Sequence, residues 1–130
     1  MTCRRVSDTH VEQVMKHAAE NAEGYVDDLK ALLRIPSVST NASGIAECVK
    51  FLSDHLEGIG MTVKTFETEL NPIVVAELEG RSPRTLLVYG HYDVQPPEPI
   101  DAWKYPPFGA EERDGRIYAR GGVDDKGNFF

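Results

Sequence analysis

Between Asp8 and Leu33 the apolar residues fall at Val11, Val14, Met15, Ala18, Ala22, Tyr25, Val26, Leu29, Leu32 and Leu33. This is the spacing of one helical face. Thr9 and Glu12 form a capping-box pattern that predicts the helix start. Pro36 predicts its end, because a residue before proline is pushed out of helical geometry. Asn21 and Gly24 are the places where the run can divide into two helices. A second amphipathic segment, from about residue 43 to 58, carries Ile45, Val49, Leu52, Leu56 and Ile59 in phase, with Gly58 and Gly60 as its stop.

After Gly60 the period shortens. "MTVKTFET", "PIVVAELEG" and "RTLLVYGH" read as short strands bounded by turn residues. "TLLVYG" is apolar without interruption, the pattern of a central strand covered on both faces. "GAEERDGRIYAR" reads as a hairpin turning at Asp114-Gly115. Between these lies "VQPPEPIDAWKYPPFG", whose five prolines predict a stiff, extended loop without helix. Two helices followed by several strands predict an α/β or α+β sandwich with a mixed sheet.

A chain of 130 residues with 41% hydrophobic and 27% charged residues fits one globular domain. The net charge of −7 argues against a general binder of nucleic acid or anionic membrane. It says little about a small substrate, since a metal ion inverts the local field. No apolar run reaches the roughly 18 residues of a membrane span, and no apolar stretch follows Arg4 and Arg5 to make a secretory signal. Cys3 and Cys48 are too few and too separated for a disulfide framework or a Cys-rich zinc site. Reduced thiols and a cytoplasmic location are expected, with Cys48 acting as a small buried apolar residue.

The candidate chemistry sits at the ends of apolar runs. His91 and Asp93 follow "TLLVYG" and, on extended backbone, point to the same side. A neutral imidazole is a good zinc ligand, and a neighbouring carboxylate fixes its tautomer. A lone His-x-Asp fits a surface turn better than a metal site. Asp124 and Asp125, in "RGGVDDKG", repel each other unless a cation, a donor or divergent geometry intervenes. Neither a calcium loop nor a phosphate loop fits that stretch, and a polar loop with a partly solvated Asp-Lys pair fits equally well. His10, His17 and His55 lack a second ligand four residues on, and Asp27-Asp28 reads as an exposed helix face.

Taken together, the series G-H-x-D, proline-rich loop with Trp, D-G hairpin and R-G-x-x-D-D-K-G resembles the co-catalytic zinc metallopeptidase family. That family includes aminoacylase, glutamate carboxypeptidase, carnosine dipeptidase and succinyl-diaminopimelate desuccinylase. "LLVYGHYDVQPPEPIDAW", "PPF" and "DGRIYARG" look most like its dipeptidase branch, and "LLRIPSVS" matches its N-terminal pattern. The resemblance covers roughly residues 24 to 130. It implies an α/β fold: the N-terminal part of a zinc-peptidase-like catalytic domain, a three-layer sandwich with a mixed sheet. The whole chain, 1–130, would be partial catalytic domain, without the family's lid and dimerisation domain.

By match to the family motif, His91 and Asp124 would be metal ligands, with Asp124 bridging two ions. Asp93 would act catalytically by holding the His91 ring, and the Asp124-Asp125 peptide would be cis. The implied cofactor is a pair of Zn2+ ions, with Co2+ or Mn2+ as alternatives. They would polarise a scissile carbonyl and activate water for amide hydrolysis of a dipeptide or an N-acyl amino acid. The family's Glu-Glu pair, which supplies the general base and a further ligand, is not among these residues. The expectation is therefore an N-terminal segment of a metal-dependent dipeptidase, inactive alone and prone to self-association. The alternatives are an N-acyl amino acid deacylase of the aminoacylase or acetylornithine deacetylase type, and a non-catalytic binding or oligomerisation module derived from the family.

Overall fold

The structure, a computed structural model, describes residues 8–130. Cys3, Arg4 and Arg5 lie outside the described residues. Three helices come first: α1 (Asp8–Glu20), α2 (Ala22–Arg34) and α3 (Ile45–Gly58). They are followed by β1 (Thr62–Phe66), β2 (Ile73–Glu77), a 3-10 turn (Ile100–Ala102), β3 (Glu111–Arg113), β4 (Arg116–Tyr118) and the single-turn α4 (Lys126–Phe129).

The long apolar phase does divide, and the break is at Asn21, whose side-chain amide donates to the His17 carbonyl at 2.8 Å. Gly24 lies inside α2. Helix α1 already includes Asp8, so Thr9 and Glu12 sit within it and do not cap it. Its apolar stripe does not reach a core, since Val11, Val14 and Met15 are all exposed. Helix α2 ends at Arg34, two residues before Pro36, as the proline predicts.

The core forms where α2 runs into α3. Leu32, Ile35, Cys48 and Leu52 are buried together, and Phe51, Leu56, Tyr92 and Phe129 pack around them. Burying side chains of this size contributes about 1.5–3 kcal/mol each. Cys48 is fully buried as expected, and burial pushes its thiol pKa up. The segment after α2 is then tied to the stretch that carries His91. Val38 and Val94 form a parallel bridge. Val94 N–H donates to Ser37 O at 2.8 Å, Ser39 N–H donates to Val94 O at 3.1 Å, and the buried Ser37 hydroxyl donates to Tyr92 O at 2.6 Å.

Parallel and antiparallel pairing are both present, in separate pieces. β1 and β2 form one antiparallel pair, with Thr62 opposite Glu77 and Phe66 opposite Ile73, and α3 packs on it. β3 and β4 form another, turning through Asp114 (φ 51°) and Gly115 (φ 69°), as the Asp-Gly pair predicts. The expectation for "TLLVYG" is corrected. Leu86, Leu87, Val88 and Tyr89 are 68–87% exposed and pair with no strand among the described residues. An apolar run of this kind needs a strand on each edge and a layer on each face, and the described residues supply neither. The proline-rich loop is extended as expected, except for the short 3-10 turn at Ile100–Ala102.

Candidate functional site

Two segments meet at the site, and each is held from behind. The first is His91–Asp93, continuous with the Ser37–Val94 pairing. The second is the glycine-rich turn from Arg120 to Asp125. Gly121 adopts φ 85°, and a Cβ there would stand 2.9 Å from Val94 Cγ1, so the turn lies directly against the first segment. Arg120 N–H donates to Pro107 O at 2.7 Å, and its guanidinium lies 5.0 Å from the Trp103 ring. The Trp103 indole N–H donates in turn to Pro97 O at 2.7 Å. The stiff loop thus braces the turn.

His91, Asp93 and Asp124 come together. His91 Nδ1 lies 3.0 Å from the Asp93 carbonyl oxygen and 3.1 Å from Asp93 Oδ1. His91 Nε2 lies 3.0 Å from Asp124 Oδ1. Neither the Asp93 oxygens nor the ionised Asp124 carboxylate can donate, so both ring nitrogens carry protons in these contacts, and Nε2, on the open side, is the nitrogen that would give up its proton to a metal. Partial burial disfavours the charged ring, but the Asp93 carbonyl and the Asp124 carboxylate outweigh it and raise the His91 pKa. Asp124 is the open side of the arrangement, with 76% of its side chain accessible.

Asp125 turns the other way. Its Oδ2 accepts the His91 backbone N–H at 3.2 Å, and its Oδ1 accepts from the Asn128 amide at 2.9 Å. These two donors hold its carboxyl below the usual range. The adjacent carboxylates therefore avoid repulsion by divergence, one of the three outcomes open to "DD". The Asp124-Asp125 peptide is cis, as the family resemblance implies.

The expectation of a partly solvated Asp-Lys pair does not hold, because Lys126 is fully buried. Its ammonium donates to Leu32 O at 3.0 Å and Ile35 O at 2.7 Å at the end of α2, carbonyls that also accept the backbone N–H groups of Ile35 and Ser37. Neither Lys126 nor Asp125 stands out in the sequence as a site residue. The only signal was their place in "DDK", since a buried lysine is rare unless paired. Of the other histidines, His10 and His17 are exposed on α1. His55 is half-buried instead of solvated, with its ring 4.8 Å from that of Phe130. Asp27 and Asp28 are exposed as expected.

The donor chemistry fits a divalent cation. An imidazole nitrogen and a carboxylate oxygen converge on one open side, and the far ring nitrogen is engaged by a carboxylate and a carbonyl, as metal-binding histidines usually are. Among the described residues, no group of three or more His, Cys, Asp or Glu side chains is placed to hold a metal ion.

Residues 87–130, which contain this whole constellation, match the model of peptidase family M20/M25/M40. That stretch carries the family's sequence. It is 36% identical to the Cys-Gly metallodipeptidase DUG1 of Candida albicans, over 79% of this chain and 25% of the relative. It is 32% identical to the N-formyl-4-amino-5-aminomethyl-2-methylpyrimidine deformylase of Halalkalibacterium halodurans, over 92% of this chain and 29% of that protein. Among solved structures, the M20 family metallo-carboxypeptidase Sso-CP2 from Sulfolobus solfataricus superposes with a TM-score of 0.73 at 42% identity, covering 76% of this chain and 23% of that one. Human carnosine dipeptidase 1 superposes with a TM-score of 0.76 at 27% identity, covering 90% and 28%. The chain therefore has the mixed α/β fold of part of a catalytic domain, and it spans about a quarter of the length of the relatives it matches.

Proposed function

We propose that this chain carries the His91–Asp124 part of a two-zinc amide-hydrolysing site, and that the complete enzyme is a dipeptidase. The observation that carries the reading is the convergence of His91 Nε2 and Asp124 Oδ1 at 3.0 Å, with His91 Nδ1 engaged by Asp93. His91 and Asp124 would hold the metal, and Asp124 would bridge two ions. Bound Zn2+, or Co2+ or Mn2+ in its place, supplies Lewis acidity toward an amide carbonyl and activates water near neutral pH. The residues of this chain do the rest of the local work. Asp93 keeps the His91 proton on Nδ1 and the ring in plane, and Asp125 fixes the His91 backbone.

The names of the DUG1 relative and of human carnosine dipeptidase 1 support a dipeptide substrate. The deformylase relative, matched over 92% of this chain, supports a second reading in which the amide is an N-acyl group on a small molecule. Two donors fall short of the three protein ligands usual at catalytic zinc, so the 130-residue chain alone would not turn over, and the general base and further ligands would come from other residues. The open apolar run at Leu86–Tyr89 supports self-association. No described helix is long and apolar enough to cross a membrane, and the free thiol of Cys48 fits the cytoplasm.

The test is an assay of the purified 130-residue chain, with Zn2+, Co2+ or Mn2+, against Cys-Gly, carnosine-type dipeptides and N-formyl or N-acetyl amines. No hydrolysis above a His91→Ala control is expected. A longer polypeptide containing these residues should cleave one of the two amide classes and lose that activity on Asp124→Ala. Turnover by the short chain, or an Asp124→Ala polypeptide with full activity, would overturn the proposal.

A further inference from the structure

The "DDK" triplet places three side chains in three different directions. Asp124 faces His91 Nε2 at 3.0 Å, Asp125 accepts the His91 N–H at 3.2 Å, and the Lys126 ammonium reaches back to Leu32 O at 3.0 Å and Ile35 O at 2.7 Å. We infer that Lys126 is a positioning residue, a buried latch that fixes the Asp124 carboxylate relative to His91 by fastening the turn to the C-terminal end of α2. The inference deepens the metal-site reading and rests on it for its functional meaning.

Among the described residues, the Asp124 carboxylate has His91 as its side-chain partner, and its direction otherwise follows the backbone that carries it. Its side chain is 76% accessible, and the turn before it contains two glycines, one in the left-handed region. Helix α4, which follows, is only one turn long and offers no rigid platform of its own. Lys126 begins that helix, and both of its acceptors lie about 90 residues away in sequence, on the helix that anchors the core. A cation at these carbonyls also complements the negative end of the α2 dipole. The same ammonium therefore bridges two carbonyls at the C-terminal end of α2 and pins the backbone two residues after Asp124. The order of the triplet follows from this. The residue facing the open side comes first, the fastener to the His91 backbone second, and the fastener to the core third.

A merely stabilising Lys126 would leave the His91–Asp124 contact intact in every molecule that folds. The test therefore reads that contact without metal. The ring 15N shifts of His91 are recorded at fixed pH in the native chain, in Lys126→Met, and in Asp124→Asn, which defines the signature of a lost contact. Leu52→Ala, a core change on α3, is the control for stability loss alone. Lys126→Met is expected to move the His91 Nε2 shift most of the way to the Asp124→Asn position, while Leu52→Ala leaves it at the native value. Zn2+ affinity should fall at least about tenfold in Lys126→Met. Should the methionine variant fail to fold, Lys126→Gln, which keeps one donor of shorter reach, is read in the same way. A folded variant with the native His91 shift would overturn the inference. If the native chain bound no metal, the metal-site reading would fail, and the shift measurement would still decide the role of Lys126.

Discussion

Replacing His91 with alanine is expected to lower the chain's affinity for Zn2+ by at least about 100-fold, beyond the 10- to 100-fold that loss of an outer partner typically costs. The reason lies in the ring's two nitrogens. Nε2 meets Asp124 Oδ1 at 3.0 Å on the open side of the site, while Nδ1 is held from behind by Asp93, so Nε2 is the nitrogen that would exchange its proton for a metal. Removing it leaves Asp124 as the single described donor there, and one carboxylate does not hold zinc against water. Asp93→Asn should cost less, about tenfold, because the Asp93 backbone carbonyl still accepts from Nδ1 at 3.0 Å. Isothermal titration of Zn2+ into the three proteins measures both steps. Equal affinities for native and His91→Ala chains would place the metal elsewhere.

The second large effect is on stability. Gly44→Ala is expected to destabilise the fold by about 2–4 kcal/mol. Gly44 precedes α3 with φ 69°, where side chains are strained, and a Cβ would stand 2.7 Å from the Pro36 carbonyl oxygen and 2.8 Å from its carbon. Both are backbone atoms, in the stretch that pairs with Val94, so relief would have to move the strip that carries His91. Gly24→Ala is the contrasting case. Its Cβ would meet nothing within 4 Å and it sits inside α2, so a gain of about 0.5–1 kcal/mol is expected from helix propensity. Denaturant melts of the two variants check both signs, and a Gly44→Ala chain as stable as the native one would contradict the geometry.

The convergence of His91, Asp93 and Asp124 was more legible in the sequence than the sheet was. They could be named as candidates because the family motif they resemble sets them in one order, and the structure brings the three side chains together. The Asp114-Gly115 turn was equally readable, since positive φ at both positions selects those residues. The apolar run at Leu86–Tyr89 misled for a physical reason. Hydrophobicity records what a strand needs on its faces, and it does not say whether the covering residues lie within this chain. The stripe of α1 misled in the same way, for Val14 and Met15 have the spacing of a buried face and are exposed. Lys126 was hidden by the opposite effect. A lysine in a Gly- and Asp-rich stretch reads as solvated, and only the fold shows that α2 ends where its ammonium can cap two carbonyls.

The central claim is that His91 offers Nε2 to a metal shared with Asp124 while Asp93 keeps the proton on Nδ1. Histidine-labelled 15N NMR of the chain during Zn2+ addition tests it most directly. The account predicts that the His91 Nε2 resonance moves to a metal-bound position while Nδ1 stays protonated, and that Asp124→Ala abolishes the change. A His91 ring unaffected by Zn2+, or one that loses its Nδ1 proton to the metal, would contradict it.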